Sequence, residues 1–450
     1  MEWQAARDEA LDIFRQLLRV RTENPPGNEM EAVELLASKL ADDGIEAETM
    51  ETAPGRGNMV ARLKGREARS SALVLASHLD VVSASGQSWL HPPFDAEVAD
   101  GYVWGRGAVD MKHMAAMSVM VLKLLKRQGK RLKRDVVFAG VSDEETGGEH
   151  GAARLCEERP ELVEGEYLLG EVGGFNVPVG EAEIVPIQVA EKGRVLLRLR
   201  AEGPAGHGSL PVEGSAVGRL GRAVDRLARI RLPIHVTRVA RAFIREVAAS
   251  QGLVRGSVMR QLANPSLSQL ILDRAISEPG QRAAFQAMLS NTATPTMLTA
   301  GEASNVVPEG AEALVDGRFL PGQTASDLIR EVRSIVGPSV TIEKVCEQQP
   351  VELRPFATAA YRALCDTVRQ NAPKARPVPS LTPGYTDAKH FSKLGLKCYG
   401  FTPLWFDRRS GLVAHRLFHA PDERAPVEGF NWGLKVLYEA VCELCAEESK

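Results

Sequence analysis

Apolar side chains recur at helical spacing through Ala6, Ala10, Ile13 and Leu17, and again through Ala32, Leu35, Leu36 and Leu40, so the N-terminal stretch predicts two amphipathic helices. Between them Asn24-Pro25-Pro26-Gly27 forces a turn, because neither proline has the N–H that would continue a helix. The pattern then changes. Ala72-Leu73-Val74-Leu75-Ala76 is a continuous apolar run, the signature of a strand covered on both faces in a parallel or mixed sheet, and it stops at Ser77-His78-Leu79-Asp80. A Met-, Ala- and Leu-rich helix follows Asp110, and a second apolar run, Val136 to Val141, leads into Ser142-Asp143-Glu144-Glu145. Two strands therefore end in residues able to ligate a metal, the position at which open α/β sheets carry their sites.

From about residue 186 the pattern changes. Val195 to Arg200 alternates partly, like a half-exposed strand; Ser215 to Ile230 reads as a helix, Ala311 to Arg318 as a strand and Ala325 to Val336 as a helix. That order predicts a small α/β unit inserted into a larger one. Residues 231 to 298 add helical segments without a readable motif, and from Leu353 long helices and buried-type strands resume. The expected fold class is α/β, a mixed and mainly parallel sheet between helices. Its expected division is 1–185 and 352–450 for the larger domain and 186–351 for the insertion. A chain of 450 residues suits two units, since domains typically run to roughly 100–200 residues.

Composition narrows the partners. The chain is 44% hydrophobic and 25% charged with a formal net charge of −3, so nothing attracts nucleic acid globally. The one basic run, Lys126, Arg127, Lys130, Arg131, Lys133 and Arg134, follows a helix end, where cations are favoured by the macrodipole. No stretch approaches the roughly 20 apolar residues of a membrane span, and the N-terminus has no basic region leading into an apolar core, so a cytoplasmic protein without membrane partners is expected. Six scattered cysteines fit reduced thiols; Cys442 and Cys445, three apart on a terminal helix, share one face and read as packing.

The candidate chemistry is spread along the chain. His78 and Asp80 suit a zinc ligand with a carboxylate on its second ring nitrogen, although a loop histidine beside a capping aspartate has the same local pattern. Asp110, in Gly105-Arg106-Gly107-Ala108-Val109-Asp110-Met111-Lys112, reads locally either as an N-cap or as a ligand, and its glycines permit close backbone approach. Asp143-Glu144-Glu145 places three acids side by side after a buried strand; they repel one another unless protons or a cation offset them, and a solvated acidic turn is the competing reading. Glu171 follows another apolar run.

Together with His419-Ala420-Pro421-Asp422-Glu423, these segments resemble, in order and rough spacing, the M20 metallopeptidases, which include aminoacylase, acetylornithine deacetylase, succinyl-diaminopimelate desuccinylase, glutamate carboxypeptidase and carboxypeptidase S. Gly206-His207-Gly208-Ser209, Asn305-Val306-Val307-Pro308, Asp316-Gly317-Arg318 and Gly384-Tyr385-Thr386-Asp387 extend the resemblance over nearly the whole chain. It implies two zinc ions, with Co²⁺ or Mn²⁺ as substitutes, bridged by Asp110. His78 and Glu171 would hold one ion, Glu145 and His419 the other. Asp80 would orient His78, Glu144 would act as general base, and His207 would steady the tetrahedral oxyanion, supplied across a homodimer formed through the inserted lid. Arg318, Asn305, Gly384 and Thr386 would grip a substrate carboxylate. The implied substrate is an N-acyl amino acid or a short peptide cut at its C-terminal end. The alternatives are a dedicated deacylase of one biosynthetic N-acyl diamino acid and a non-catalytic binding protein of the same fold. His91, His113, His150, His235, His390 and His415 read as structural or surface residues. Two features set the chain apart within the family: the insertion is longer than the shortest version, and Glu171 rather than Asp resembles the deacylase and carboxypeptidase members.

Overall fold

The computed structural model describes residues 3–276 and 278–447. The chain divides into two compact units, one made of residues up to Val189, Leu353–Ser380 and Thr386 onward, the other of Ala190–Glu352 with Leu381–Tyr385.

In the first unit the sheet order is Ala47–Ala53, Arg56–Leu63, Val136–Val141, Leu73–His78, Tyr167–Gly170, Lys397–Gly400 and Ala182–Glu191. The four central strands run parallel and their flanks antiparallel. Leu73–His78 and Val136–Val141 are buried along their whole length, as their unbroken apolar runs require. Helices Trp3–Arg19, Lys112–Arg127 and Val427–Cys445 pack together on one face; the other face buries Val74, Ala76, Val137 and Ala139 against Leu155, Phe391 and Leu396. The register matters most for the site. His78 lies beside Val141, and Leu75 beside Leu169, so the residues just past all three strands emerge at one sheet end. Within the basic run, Arg127 forms paired hydrogen bonds to Glu9 and Asp43, and Arg134 pairs with Glu166.

The second unit is a four-stranded antiparallel sheet ordered Thr292–Ala300, Gly310–Phe319, Gly193–Glu202 and Thr341–Gln348. Val195, Leu197, Leu199, Val315 and Phe319 point to helices Ala216–Arg229 and Ala325–Val336, which bury Leu220, Leu227, Leu328 and Val332. Ser215 caps the first of these helices by accepting from Gly218 N, and Thr324 with Asp327 forms a capping box on the second. The region 231–298, where helical segments are expected, holds a strand besides them. Four helices, Arg238–Ala249, Leu253–Arg260, Pro265–Arg274 and Pro279–Leu289, gather around Ile244, Leu262, Leu272 and Leu289, but Thr292–Ala300 is a strand. Its β-branched threonines favour extended backbone, and Pro295 is tolerated because this is an edge strand with an irregular register between Pro295 and Met297.

Candidate active site

His78 ends its strand with Nδ1 3.0 Å from the main-chain oxygen of Asp80. If that nitrogen carries the proton, the lone pair on Nε2 is turned toward the acids: 3.1 Å from Asp110 Oδ1 and 3.6 Å from Glu171 Oε2. The second oxygen of Asp110 lies 3.3 Å from His419 Nε2, which in turn is 3.1 Å from Glu145 Oε2. Two groups result, His78–Asp110–Glu171 and Asp110–Glu145–His419, each with its ligand atoms within 4.8 Å of one another. They share Asp110. Oxygen and imidazole nitrogen suit zinc, and a carboxylate with one oxygen toward each group can bridge two cations.

A hydrogen-bonded frame holds these side chains. The Asp80 carboxylate is 3.6 Å from the His78 ring, so the expected orienting bond is made by the main chain instead. The carboxylate accepts from Glu144 N at 3.1 Å, Glu145 N at 3.0 Å and Asn24 Nδ2 at 2.8 Å, pinning the acidic turn from below. Asn24 also donates to Asp143 and Thr146, and accepts from Arg56, which pairs with Glu29 and Asp143. Of the three adjacent acids, then, Asp143 is consumed by the frame, and Glu145, a member of the second group, and the buried Glu144 remain. Asp110 is not an N-cap; Met111 takes that position. Buried Glu423 accepts from Gly107 N, Val109 N, Asp110 N and Arg106, fixing the glycine-containing loop. Gly107 has φ 87°, and a Cβ there would meet Val81 Cγ1 at 2.7 Å. His419 itself and Val172, next to Glu171, have φ of 59° and 64°, strained conformations that a frame of this kind can hold.

Burial and crowding shape the charges. Burial pushes the carboxyls of Glu171 and Asp387 up to about 7 and raises Glu145, while Glu144 lies well above the usual range through burial and the nearby Glu171. Burial also opposes the charge on Asp110, but His419 and His78 hold its carboxyl below normal. Acids this crowded call for compensating positive charge, and Glu145 Oε1 is buried with no hydrogen-bond partner. The residues therefore fit a pair of divalent cations. Beside them lies a cavity of about 20 Å³ lined by Ser77, His78, Glu171, Thr386 and Asp387, room for a single water.

The remaining expected residues fall mainly in the second unit. His207 is exposed on a two-residue strand paired with Val306–Val307, which brings it near Asn305, whose oxygen accepts from Gly208 N at 2.8 Å. Ser209 N donates to His207 Nδ1, leaving Nε2 as the ring's donor. Arg318 pairs with Asp316 at 2.5 Å, lies 5.0 Å from the Tyr385 ring, and keeps Nη1 buried without a partner. Gly384 lies in the segment Leu381–Tyr385 of this unit, whereas Thr386 belongs to the first and lines its cavity. Sequence reasoning missed Asn24, Arg56, Glu423, Asp387 and Lys192. Lys192 is buried, donates to the Ser290 main-chain oxygen at 2.8 Å, and is pushed down to about 7 by burial and by Arg318. Lys192 stands between two strands in Glu191-Lys192-Gly193-Arg194, a charged stretch that reads in sequence as a solvated turn and gave no signal of burial; the others also look like ordinary polar residues in sequence.

Peptidase family M20/M25/M40 matches residues 74–443. An N-fatty-acyl-amino acid synthase/hydrolase, PM20D1.1 of Danio rerio, is 28% identical over 81% of this chain and 71% of its own length. A probable carboxypeptidase S-like protein of Dictyostelium discoideum is 27% identical over 85% of this chain and 74% of its own. Among solved structures, an M20 family metallo-carboxypeptidase from Sulfolobus solfataricus has the same fold with a TM-score of 0.71 and 17% identity, covering 97% of this chain and 99% of that one. A dinuclear metal-binding M20 peptidase of Bacillus subtilis aligns with a TM-score of 0.60 and 14% identity over 97% and 98%.

Proposed function

Because this chain belongs to peptidase family M20/M25/M40 and is a hydrolase acting on amide or peptide bonds, we propose that it is a di-zinc enzyme cleaving N-acyl amino acids or the C-terminal bond of short peptides. The two ligand groups sharing Asp110 carry this reading: His78 and Glu171 would hold one ion, Glu145 and His419 the other. When bound, the ions supply Lewis acidity that makes water acidic near neutral pH and polarises the scissile carbonyl, with cobalt or manganese as workable substitutes. Glu144 takes a proton from the attacking water and passes it to the departing nitrogen. His207, with Nε2 free to donate, steadies the oxyanion. Arg318 holds the substrate carboxylate with its planar fork, aided by Asn305, Gly384 and Thr386; its unpartnered Nη1 and the neighbouring Lys192 support that role.

In this reading the second unit acts as a lid and as the contact of a homodimer. Its edge strand Thr292–Ala300 leaves Met297 and Leu298 exposed, an open ladder that a second copy would cover. The six free cysteines support a reducing, cytoplasmic setting. The acyl substrate is preferred because a fatty-acyl amino acid hydrolase is among the similar proteins. Assays of zinc-loaded protein on N-acyl amino acids of increasing chain length, run beside dipeptides, are expected to release amino acid mainly from the acyl series. Protein that binds no metal and is not activated by Zn²⁺ or Co²⁺ would instead be a binding protein. Turnover confined to one acylated diamino acid would indicate a dedicated deacylase.

A further inference from the structure

The helical segment from 231 to 290 has no task in the hydrolase reading. It carries eight arginines against three acids, Glu246, Asp273 and Glu278, in a chain whose net charge is −3. Its helix Leu253–Arg260 packs through Gly256, where a Cβ would lie 2.4 Å from the Ala248 carbonyl oxygen of the preceding helix. Each residue advances about 100° around a helix, so Val254 and Val258, two positions to either side of Gly256, face away from that contact. They are 80% and 41% exposed, and Leu253 in the first turn is 88% exposed. Arg255 and Arg260 flank this stripe. The helix holds no acid, and Arg260 bonds to Ser257 rather than to a carboxylate. Helix Pro265–Arg274 adds Leu267 and Leu270, both exposed and three residues apart on one face.

We infer that this face docks on an anionic lipid surface, with the aliphatic side chains entering the acyl boundary and the arginines meeting headgroup phosphates. Aliphatic side chains this exposed, flanked by arginines, suit a bilayer better than a protein partner, whose contacts favour aromatic anchors in packed pockets. No described helix is long and apolar enough to cross a membrane, so the contact is peripheral. The expectation of no membrane partner rested on the lack of a span and does not bear on such a contact.

Flotation of the full chain with vesicles tests this without any turnover. Vesicles of phosphatidylcholine with about one third phosphatidylglycerol are expected to bind at least about tenfold more protein than phosphatidylcholine alone. Raising salt from about 0.1 M to about 0.5 M should release it. Val254→Asp with Val258→Asp should abolish binding, and Arg255→Gln with Arg260→Gln should weaken it about tenfold. Both pairs should leave the melting temperature, the solution mass and hydrolysis of a soluble acetylated amino acid unchanged. Should the double aspartate variant not fold, Leu253→Asp in the exposed first turn replaces it. No preference for anionic vesicles overturns the proposal. So does a change of solution mass in the aspartate variant, which would make the face an interface between copies. Binding to poly-glutamate in place of vesicles also overturns it, in favour of an acidic protein partner.

Discussion

Both units set a sheet against helices, yet Asp80 and Glu423 in the first and Lys192 and Arg318 in the second are satisfied to opposite degrees. At the sheet end of the first unit two supporting carboxylates are saturated: Asp80 accepts from Glu144 N, Glu145 N and Asn24, and Glu423 from three backbone N–H groups and Arg106. In the second unit the strand Gly193–Glu202 buries alternate residues, and two cations, Lys192 just before it and Arg318 opposite Arg194 on the neighbouring strand, keep open valences: Lys192 donates to one main-chain oxygen and Arg318 Nη1 has no partner. A saturated frame holds ligands at fixed distances, as a metal pair needs. Open donors are what an arriving anion completes.

The comparison breaks first at Glu144. Glu144→Gln should lower kcat about a thousandfold or more while the protein still binds its metals, because proton transfer is lost and the ligand set is not. Near-normal turnover with bound zinc would remove Glu144 from the chemistry. Next comes the frame. Asn24→Ala should lower metal affinity or kcat about 10- to 100-fold with little change in KM, read by Co²⁺ titration and steady-state kinetics. A lower melting temperature with both values intact would reduce Asn24 to a structural role.

In the second unit Lys192→Met should raise KM about tenfold, with a smaller effect on kcat, through loss of a charge-assisted contact. Lys192 sits at about 7, so product affinity in the wild type should fall as pH rises through 7 and the variant should lose that dependence. The same depressed value has a stability consequence. Below pH 7 the folded chain holds a buried cation that the unfolded chain would solvate, so this site makes the ligand-free protein more stable as pH climbs from about 7 toward the ordinary lysine value of 10.5. Lys192→Met should flatten that slope in denaturant titrations. The smallest effect is expected at Ser215→Ala, which removes an N-cap in the second unit and should cost about 1 kcal/mol in unfolding with kcat unchanged.

Much of the fold was legible because its signals are local. The runs at Leu73 and Val136 are apolar throughout, and the strands they form are buried throughout. Thr292–Ala300 went unread because a threonine-rich edge strand, exposed over most of its length, has little apolar periodicity to show. Asp80 illustrates a subtler gap. Its closeness to His78 is visible in the sequence, but whether the ring meets its carboxylate or its carbonyl depends on how the loop turns. Asn24 and Glu423 were illegible as parts of the frame. Each works through partners more than fifty residues away, and a turn asparagine or a loop glutamate has no local mark of such a partner.

By itself the sequence determined which residue types stand at the ends of which strands, because strand length, burial and helix starts follow from side-chain volume and polarity over a few neighbours. Only the tertiary structure decided that the acids at those ends converge. The parallel register sets His78 beside Val141 and carries Glu171 to the same end, and the turn bearing His419 then reaches Asp110 from more than three hundred residues downstream. Such distances depend on the whole sheet closing in one register, which no short window of sequence contains.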